Sequence, residues 1–70
     1  MIDDKEVKIR FTYHAPKEGQ PVKYKDIRDA GRLMADLIVV SCPESRELAL
    51  ALTKIEEAIF WANASIARRE

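Results

Sequence analysis

The residues of this 70-residue chain best suited to binding chemistry are aromatic and basic, and they cluster near the N-terminus. Tyr13 and His14 stand in the segment FTYHAPKEGQPVKY, residues 11–24, and Lys25 and Arg28 follow closely. An aromatic ring can stack on a nucleobase for about 1–3 kcal/mol, and a guanidinium pairs with phosphate, often through two hydrogen bonds. Tyr13 and Arg28 together could therefore hold one nucleotide, with the ring on the base and the guanidinium on the phosphate.

These residues also have a plain structural interpretation, which composition alone favours. In that interpretation Tyr13 packs on a core and Arg28 lies on a solvated helix face. Arg68 and Arg69 similarly suit the C-terminal end of a helix, where cations complement the helix dipole. If several copies of the chain brought these ends together, the same two arginines would form a basic ring.

No set of side chains in the sequence is arranged for catalysis. His14 is the only histidine and has no cysteine or second histidine at ligand spacing, so we expect no metal site. Ser41 and Ser45 are better explained as residues that start a helix. Glu56 and Glu57 are adjacent on a helix and point about 100° apart, so they do not form an acid/base pair. With only two glycines there is no glycine-rich phosphate loop, and we expect neither enzymatic activity nor a cofactor.

The N-terminal part of the chain alternates apolar and polar residues in VKIRFTY, residues 7–13. This is the period of a β-strand. Because no second strand is visible, the pattern predicts an extended arm that packs on helices or pairs with another chain. Pro16, Gly19 and Pro21 then mark a turn, so residues 1–20 are expected to form an arm and a turn.

A first helix is predicted over residues 21–41. Proline is tolerated in the first turn of a helix, and Pro43 disfavours helix at the residue before it. Gly31 interrupts this helix, and a small residue there could permit another helix to approach closely. The apolar residues fall on one face: Ile27, Ala30, Met34, Leu37.

A second helix is predicted over residues 42–69, with two possible starts. Ser41 with Glu44 fits a capping box; alternatively, Cys42 caps the helix and Pro43 takes the first helical position. Its apolar residues repeat at heptad spacing, which pairs this helix with the first as an antiparallel hairpin. The seam comprises Leu48, Leu52, Ile55, Ile59, Ala62 and Ile66.

The second helix carries more apolar residues than one seam uses, among them Leu50, Phe60 and Trp61. A helix that is apolar on more than one face is buried on more than one side. A chain this short, without a disulfide or a metal, also has little core of its own. We therefore expect an all-α, single-domain fold: an antiparallel helical hairpin with a short extended N-terminal arm, assembled as a compact homo-oligomer.

Charge and composition exclude several classes of function. Twelve basic and twelve acidic residues give a net charge of zero, which argues against binding of long nucleic acid but leaves room for a small anion site. The single cysteine cannot form an internal disulfide, so a reducing compartment is expected. The charged N-terminus does not resemble a signal peptide. The longest apolar run, LIVV at residues 37–40, is too short to span a bilayer.

Four segments taken together, FTYHAPKEGQPVKYKDIR, CPESRE, LALTKIEEA and WANASIAR, resemble the small anti-CBASS proteins of phages, which are sponges for cyclic oligonucleotides. The same hairpin domain occurs in some sponges that act against Thoeris defence. The resemblance extends from about Val7 to Arg68 and rests on the joint order of the segments. One departure is Ala15, where the family commonly has a second proline after His14.

The resemblance implies a homohexamer of helical hairpins that binds cyclic dinucleotides between protomers and cyclic trinucleotides at separate sites. Family members sequester these second messengers without cleaving them. The CBASS effectors then stay inactive in the cytoplasm of the infected bacterium.

The resemblance also implies roles for residues of this chain. An aromatic residue of the arm stacks on a base and a basic residue of the first helix meets phosphate; by position these are Tyr13 and Arg28, with Lys25 and His14 beside them. An arginine near the C-terminus serves the trinucleotide site. Its counterpart here is Arg68, with Arg69 next to it, and replacing it is expected to remove trinucleotide binding alone.

Two other functions compete with this one. The first is an oligomeric adaptor that binds a protein partner through Phe60 and Trp61. The second is a DNA-binding regulator, which the zero net charge and the lack of a third helix for helix-turn-helix geometry disfavour.

Overall fold

The computed structural model describes residues 2–70, and these form three helices without any strand: α1 (Asp4–Arg10), α2 (Gln20–Ser41) and α3 (Arg46–Arg69). Helices α2 and α3 pack against each other along their lengths. The all-α hairpin expected from the sequence is therefore confirmed. No helix within residues 2–70 is long and apolar enough to cross a membrane.

The extended arm expected over residues 7–13 is wrong for residues 7–10, because these belong to helix α1. Asp3 caps this helix by accepting a hydrogen bond from the Glu6 amide at 2.9 Å. One turn later Arg10 donates to the Glu6 carboxylate at 2.7 Å, an i,i+4 pair. These local bonds outweigh the alternating pattern, and between α1 and α2 only residues 13–17 are without a turn or bend.

Helix α2 agrees with its predicted bounds to within one residue. It starts after Gly19, which has a φ of 84°, the left-handed region that favours glycine. Pro21 takes an early helical position, where its missing N–H is not needed. The helix ends at Ser41, as predicted, and the Cys42 amide donates to the Ile38 carbonyl at 2.9 Å.

Both predicted starts of the second long helix are wrong, since α3 begins at Arg46. Its N-cap is Ser45, whose Oγ accepts from the Leu48 amide at 3.1 Å and donates to the Pro43 carbonyl at 3.0 Å. Cys42 has extended backbone geometry. Residues 42–45 therefore reverse the direction of the chain. The N-cap is Ser45, the serine closest in sequence to the apolar residues of α3.

At the open end of the hairpin, Gln20 joins the start of α2 to the end of α3. It is the one residue among 2–70 that is buried. Its Nε2 donates to the Glu70 carboxylate at 3.2 Å and to the Ile66 carbonyl at 3.4 Å, while its Oε1 accepts from the Lys17 amide at 2.9 Å. Lys23 pairs with the same Glu70 carboxylate. These bonds fix the last turn of α3 beside the first turns of α2.

Close approach of α2 and α3 depends on Gly31, as the sequence predicts. A Cβ built on Gly31 would overlap the tip of the Ile59 side chain and lie 3.1 Å from its Cγ1. The glycine thus allows the Ile59 side chain to reach the α2 backbone.

A single copy of the chain has no buried apolar core within residues 2–70. Large apolar side chains remain open to solvent on both long helices, including Leu33, Leu37 and Val40 on α2 and Phe60 and Trp61 on α3. Burial of apolar surface is the main favourable contribution to folding. The hairpin therefore presents, on its outside, much of the surface that a larger structure would bury.

Candidate functional site

A pocket of about 560 Å³ lies between the segment that follows α1 and the adjoining ends of α2 and α3. We call it the arm pocket. The segment after α1 contributes Tyr13 and His14, helix α2 contributes Tyr24 and Arg28, and helix α3 contributes Phe60 and Arg68. Its volume is in the range of small-molecule sites, about 300–1,000 Å³.

The pocket brings together four of the six residues predicted from the sequence, namely Tyr13, His14, Arg28 and Arg68. Arg68, predicted for a separate site, thus shares a pocket with Tyr13 and Arg28. The bonds at the open end of the hairpin explain this, because Gln20 holds the last turn of α3 beside the start of α2.

Lys25 is not among the residues that line the arm pocket. Its ammonium group donates to the Asp29 carboxylate at 2.6 Å, one turn along α2. This hydrogen bond raises the pKa of Lys25 and lowers the pKa of Asp29. In this structure Lys25 belongs to the outer, charged face of the hairpin.

His14 shapes the loop that carries Tyr13. Its Nε2 lies 2.7 Å from the Ile9 carbonyl oxygen and donates to it, which ties the loop back to the last turns of α1. Its neighbour Tyr13 projects outward with 83% of its surface exposed. The ring of Tyr13 is thus presented at the pocket by a loop that His14 holds in place.

Arg28 and Arg68 are the cations of the arm pocket that have no carboxylate partner. None of the ion pairs formed within residues 2–70 includes either of them. By contrast, Arg10, at the edge of the pocket, is paired with Glu6. Two guanidinium groups that are free to meet an anion therefore stand in a pocket with three aromatic rings.

A second, smaller depression of about 280 Å³ adjoins the arm pocket along α3. We call it the C-terminal groove, and it is lined by Arg10, Trp61, Ala64, Ser65, Arg68 and Arg69. Arg10, Ala64 and Arg68 line both. The groove places Arg69, the sixth predicted residue, next to the arm pocket but outside it.

Arg69 is held by α1. The Glu6 carboxylate accepts two hydrogen bonds from the Arg69 guanidinium, at 2.9 and 2.6 Å, and a third from Arg10 Nε at 2.7 Å. These bonds, with Arg69 the larger contributor, lower the pKa of Glu6 to about 2, and they raise the pKa of Arg69. An anion that binds Arg69 has to compete with this carboxylate.

Tyr24, Asn63 and Glu6 also lie at or near the site, although none of them was predicted from the sequence. Tyr24 could have been found, because it lies four residues before Arg28 and so on the same face of α2. Asn63 follows Phe60 by three residues on α3, which again places the two together. Glu6 could not have been found without knowing that residues 4–10 form a helix.

The arm pocket and the C-terminal groove both present aromatic rings and cationic side chains. No Asp or Glu lines the arm pocket, and no three His, Cys, Asp or Glu side chains in the described residues lie together as a metal site. The arrangement is suited to a ligand that has both aromatic rings and negative charges.

The sequence model of the Acb2/Tad1 hairpin domain matches residues 3–67, nearly the whole chain. No curated protein sequence matches it, and neither does a solved structure.

Proposed function

Because this chain belongs to the family of the Acb2/Tad1 hairpin domain, the family of sponge-type phage anti-defence proteins, we propose that it binds cyclic oligonucleotide second messengers and sequesters them without cleavage. Cyclic dinucleotides are the main ligands in this proposal, and cyclic trinucleotides are further ones. Held by the phage protein in the cytoplasm of the infected bacterium, these messengers do not reach the CBASS effectors.

The observation that carries the proposal is the content of the arm pocket. Arg28 and Arg68, which form no ion pair within residues 2–70, line it together with three aromatic rings. These rings belong to Tyr13, Tyr24 and Phe60. Aromatic faces stack on nucleobases, and guanidinium groups bind phosphate with charge-assisted hydrogen bonds. The chain as a whole has no net charge. Such a site suits a small ligand with a few phosphates better than a long nucleic acid, whose binding rests on many basic residues.

We propose that the site is completed by a second copy of the chain within a homohexamer. The arm pocket is open to solvent on one side, and the exposed apolar faces of α2 and α3 provide surface for assembly. Two pockets related by a two-fold axis would supply two copies of each ring and each guanidinium. A cyclic dinucleotide, with two bases and two phosphates, matches that symmetry.

For cyclic trinucleotides we propose the C-terminal groove, where Arg69 lies beside Trp61. Arg68 lines both depressions, so replacing Arg68 is now expected to weaken both classes of ligand. Arg69 lines only the groove, and Arg69→Ala is the better variant for separating the two sites.

Binding without cleavage agrees with the side chains that are present. Hydrolysis of a phosphodiester requires a group that activates a nucleophile and one that protonates the leaving oxygen. The arm pocket has no carboxylate, and His14 uses its Nε2 in a hydrogen bond to the Ile9 carbonyl. The pocket therefore offers means to hold a cyclic oligonucleotide rather than means to open it.

Calorimetric titration with a panel of cyclic di- and trinucleotides tests binding, with the linear dinucleotides of the same bases as controls. After incubation the protein is unfolded and the ligand is analysed by chromatography. The expected result is tight binding of at least one cyclic dinucleotide and its recovery intact. Linear products would contradict sequestration. Failure of every cyclic oligonucleotide to bind would contradict the function itself and favour the adaptor that contacts a protein through Phe60 and Trp61.

A further inference from the structure

Asn63 is an unusual residue in the α3 wall of the arm pocket. Its Oδ1 is buried and accepts no hydrogen bond from any group in residues 2–70. The α3 residues within four positions of Asn63 that also line the pocket are Phe60, Ala64 and Ala67, none of which has a polar side chain. A buried acceptor without a partner destabilises a fold, and an apolar side chain would avoid this at the same position. The Oδ1 of Asn63 therefore needs a hydrogen-bond donor from outside the single chain.

We infer that Asn63 is a specificity-determining residue, whose amide hydrogen-bonds the edge of a nucleobase stacked in the arm pocket. This inference rests on the proposed function. A carboxamide carries one donor group and one acceptor group side by side. A half-turn about its Cβ–Cγ bond exchanges Oδ1 with Nδ2, so either atom can turn towards a ligand.

The chemistry of the pocket shows which part of a ligand the amide meets. Guanidinium groups only donate hydrogen bonds, so Arg28 and Arg68 suit phosphate oxygens. A phosphate offers no donor to an amide oxygen, whereas a purine edge carries N–H donors next to acceptors. With Oδ1 turned towards the pocket, the amide can accept a hydrogen bond from such a donor, for example the N6 amino group of adenine. Asn63 thus supplies the acceptor that the arginines lack.

Replacing the amide by a carboxylate changes the pattern from donor plus acceptor to acceptor alone. Adenine then keeps one hydrogen bond, since each of its edges pairs a donor with an acceptor. Guanine offers two adjacent donors, N1–H and the N2 amino group, and a carboxylate can accept both. Asn63→Asp should therefore shift preference towards guanine, even though its charge weakens the binding of all phosphates.

The test is calorimetry with cyclic di-adenylate and cyclic di-guanylate on the full chain and on Asn63→Asp, Asn63→Leu and Thr53→Ala. The expected result for Asn63→Asp is a change of about tenfold in the ratio of the two dissociation constants, in favour of guanine. Asn63→Leu should lose about tenfold in affinity for the preferred ligand, with unchanged or higher thermal stability. Thr53 is an exposed polar residue of α3 that lines neither the arm pocket nor the C-terminal groove, so Thr53→Ala should bind like the wild type.

Three results would overturn the inference. The first is an unchanged ratio in Asn63→Asp together with unchanged affinity in Asn63→Leu; if Asn63→Asp does not fold, unchanged affinity in Asn63→Leu is sufficient. The second is loss of stability or of the oligomer in Asn63→Leu, which would assign the amide to a contact between chains. The third is a wild-type protein that binds neither probe; the proposed function fails as well only if no other cyclic di- or trinucleotide of the panel binds.

Discussion

The free guanidinium groups of Arg28 and Arg68 follow from their neighbours in the sequence. On α2, Lys25 pairs with Asp29 and Arg32 pairs with Asp36, each at a spacing of four residues. Arg28 has no acidic residue three or four positions away on either side, and neither does Arg68 within α3. Local spacing therefore could predict which cations remain available to a ligand.

Replacing Tyr13 or Arg28 by alanine is expected to weaken binding of a cyclic dinucleotide by about 1–3 kcal/mol each, because stacking or a charge-assisted phosphate contact is lost. The oligomer should persist, since neither residue belongs to the exposed apolar faces of α2 and α3 that we propose for assembly. Calorimetry measures the affinity and light scattering the mass.

Arg32→Ala is the matched control for Arg28→Ala. Arg32 lies on the same helix, one turn further on, with its guanidinium paired to Asp36 and outside the arm pocket. Its loss should leave affinity nearly unchanged. Equal losses for Arg28→Ala and Arg32→Ala would mean that binding responds to overall charge and not to the pocket.

The ion pair between Glu6 and Arg69, which attaches α1 to the end of α3, depends on pH. The pKa of Glu6 is about 2 in the folded chain, against an ordinary value of 4.5, because Arg69 and Arg10 donate hydrogen bonds to the carboxylate. A pKa lowered by folding means that the stabilisation is complete above pH 4.5 and is lost as the pH falls from 4.5 towards 2. Acidification in this window should release α1 from the end of α3.

Fluorescence of Trp61, the only tryptophan, reports on this step because its side chain lines the groove between Arg10 and Arg69. The wild type should show a change of emission between pH 4.5 and 2 that Glu6→Gln lacks. Glu57→Gln, in which an exposed pair with Lys54 is removed, should titrate like the wild type. The same titration in Glu6→Gln as in the wild type would show that other carboxylates control the transition.

At the scale of elements, apolar periodicity predicted α2 and α3 well, because each is long and its apolar residues recur at three and four positions. It failed for the seven residues of α1, where a short alternating run fits a strand equally well. The cap from Asp3 and the Glu6–Arg10 pair were the local signals for helix. The start of α3 was misplaced because three candidate caps, Ser41, Cys42 and Ser45, stand within five residues.

The contact between α2 and α3 at Gly31 can be tested with a double-mutant cycle. In the wild-type background Gly31→Ala should destabilise the protein, since the new methyl group overlaps Ile59. In an Ile59→Ala background the overlap is gone, and Gly31→Ala should stabilise the protein by about 1 kcal/mol, the difference in helix propensity between the two residues. Denaturant unfolding at one fixed protein concentration measures all four variants. Equal effects of Gly31→Ala in both backgrounds would show that the two positions are not coupled.

At the scale of the whole molecule, the site depends on contacts between residues far apart in the chain. Arg69 bonds to Glu6 across 63 positions, and Gln20 bonds to Glu70 across 50. The predicted antiparallel hairpin accounts for the nearness of Arg28, early in α2, to Arg68, at the end of α3. The attachment of α1 to Arg69 was not predictable, because no local pattern in the sequence links the two ends.

We expect the fold to depend on assembly, because no apolar residue among 2–70 is buried in the single chain. Leu33, Leu37 and Val40 follow one another at spacings of four and three on α2 and are between 62% and 82% exposed. They form an apolar stripe that α3 does not cover. We expect this stripe to be buried between chains in the proposed homohexamer.

Leu37→Asp places a charge in the middle of the stripe and should dissociate the oligomer. Burying a leucine is worth about 1.5–3 kcal/mol, and in a symmetric assembly one substitution acts on every copy of the interface. Because a lone hairpin has no buried core, dissociation should also bring loss of helical circular dichroism at micromolar concentration. For the wild type, the midpoint of thermal unfolding should rise with protein concentration, as mass action requires.

Thr53→Asp, the control for Leu37→Asp, adds the same charge at an exposed polar position of α3 and should leave the mass from light scattering unchanged. A wild-type protein that is monomeric and fully helical at micromolar concentration, with an unfolding midpoint independent of concentration, would contradict the assembly and show that the hairpin is stable with its apolar faces in water.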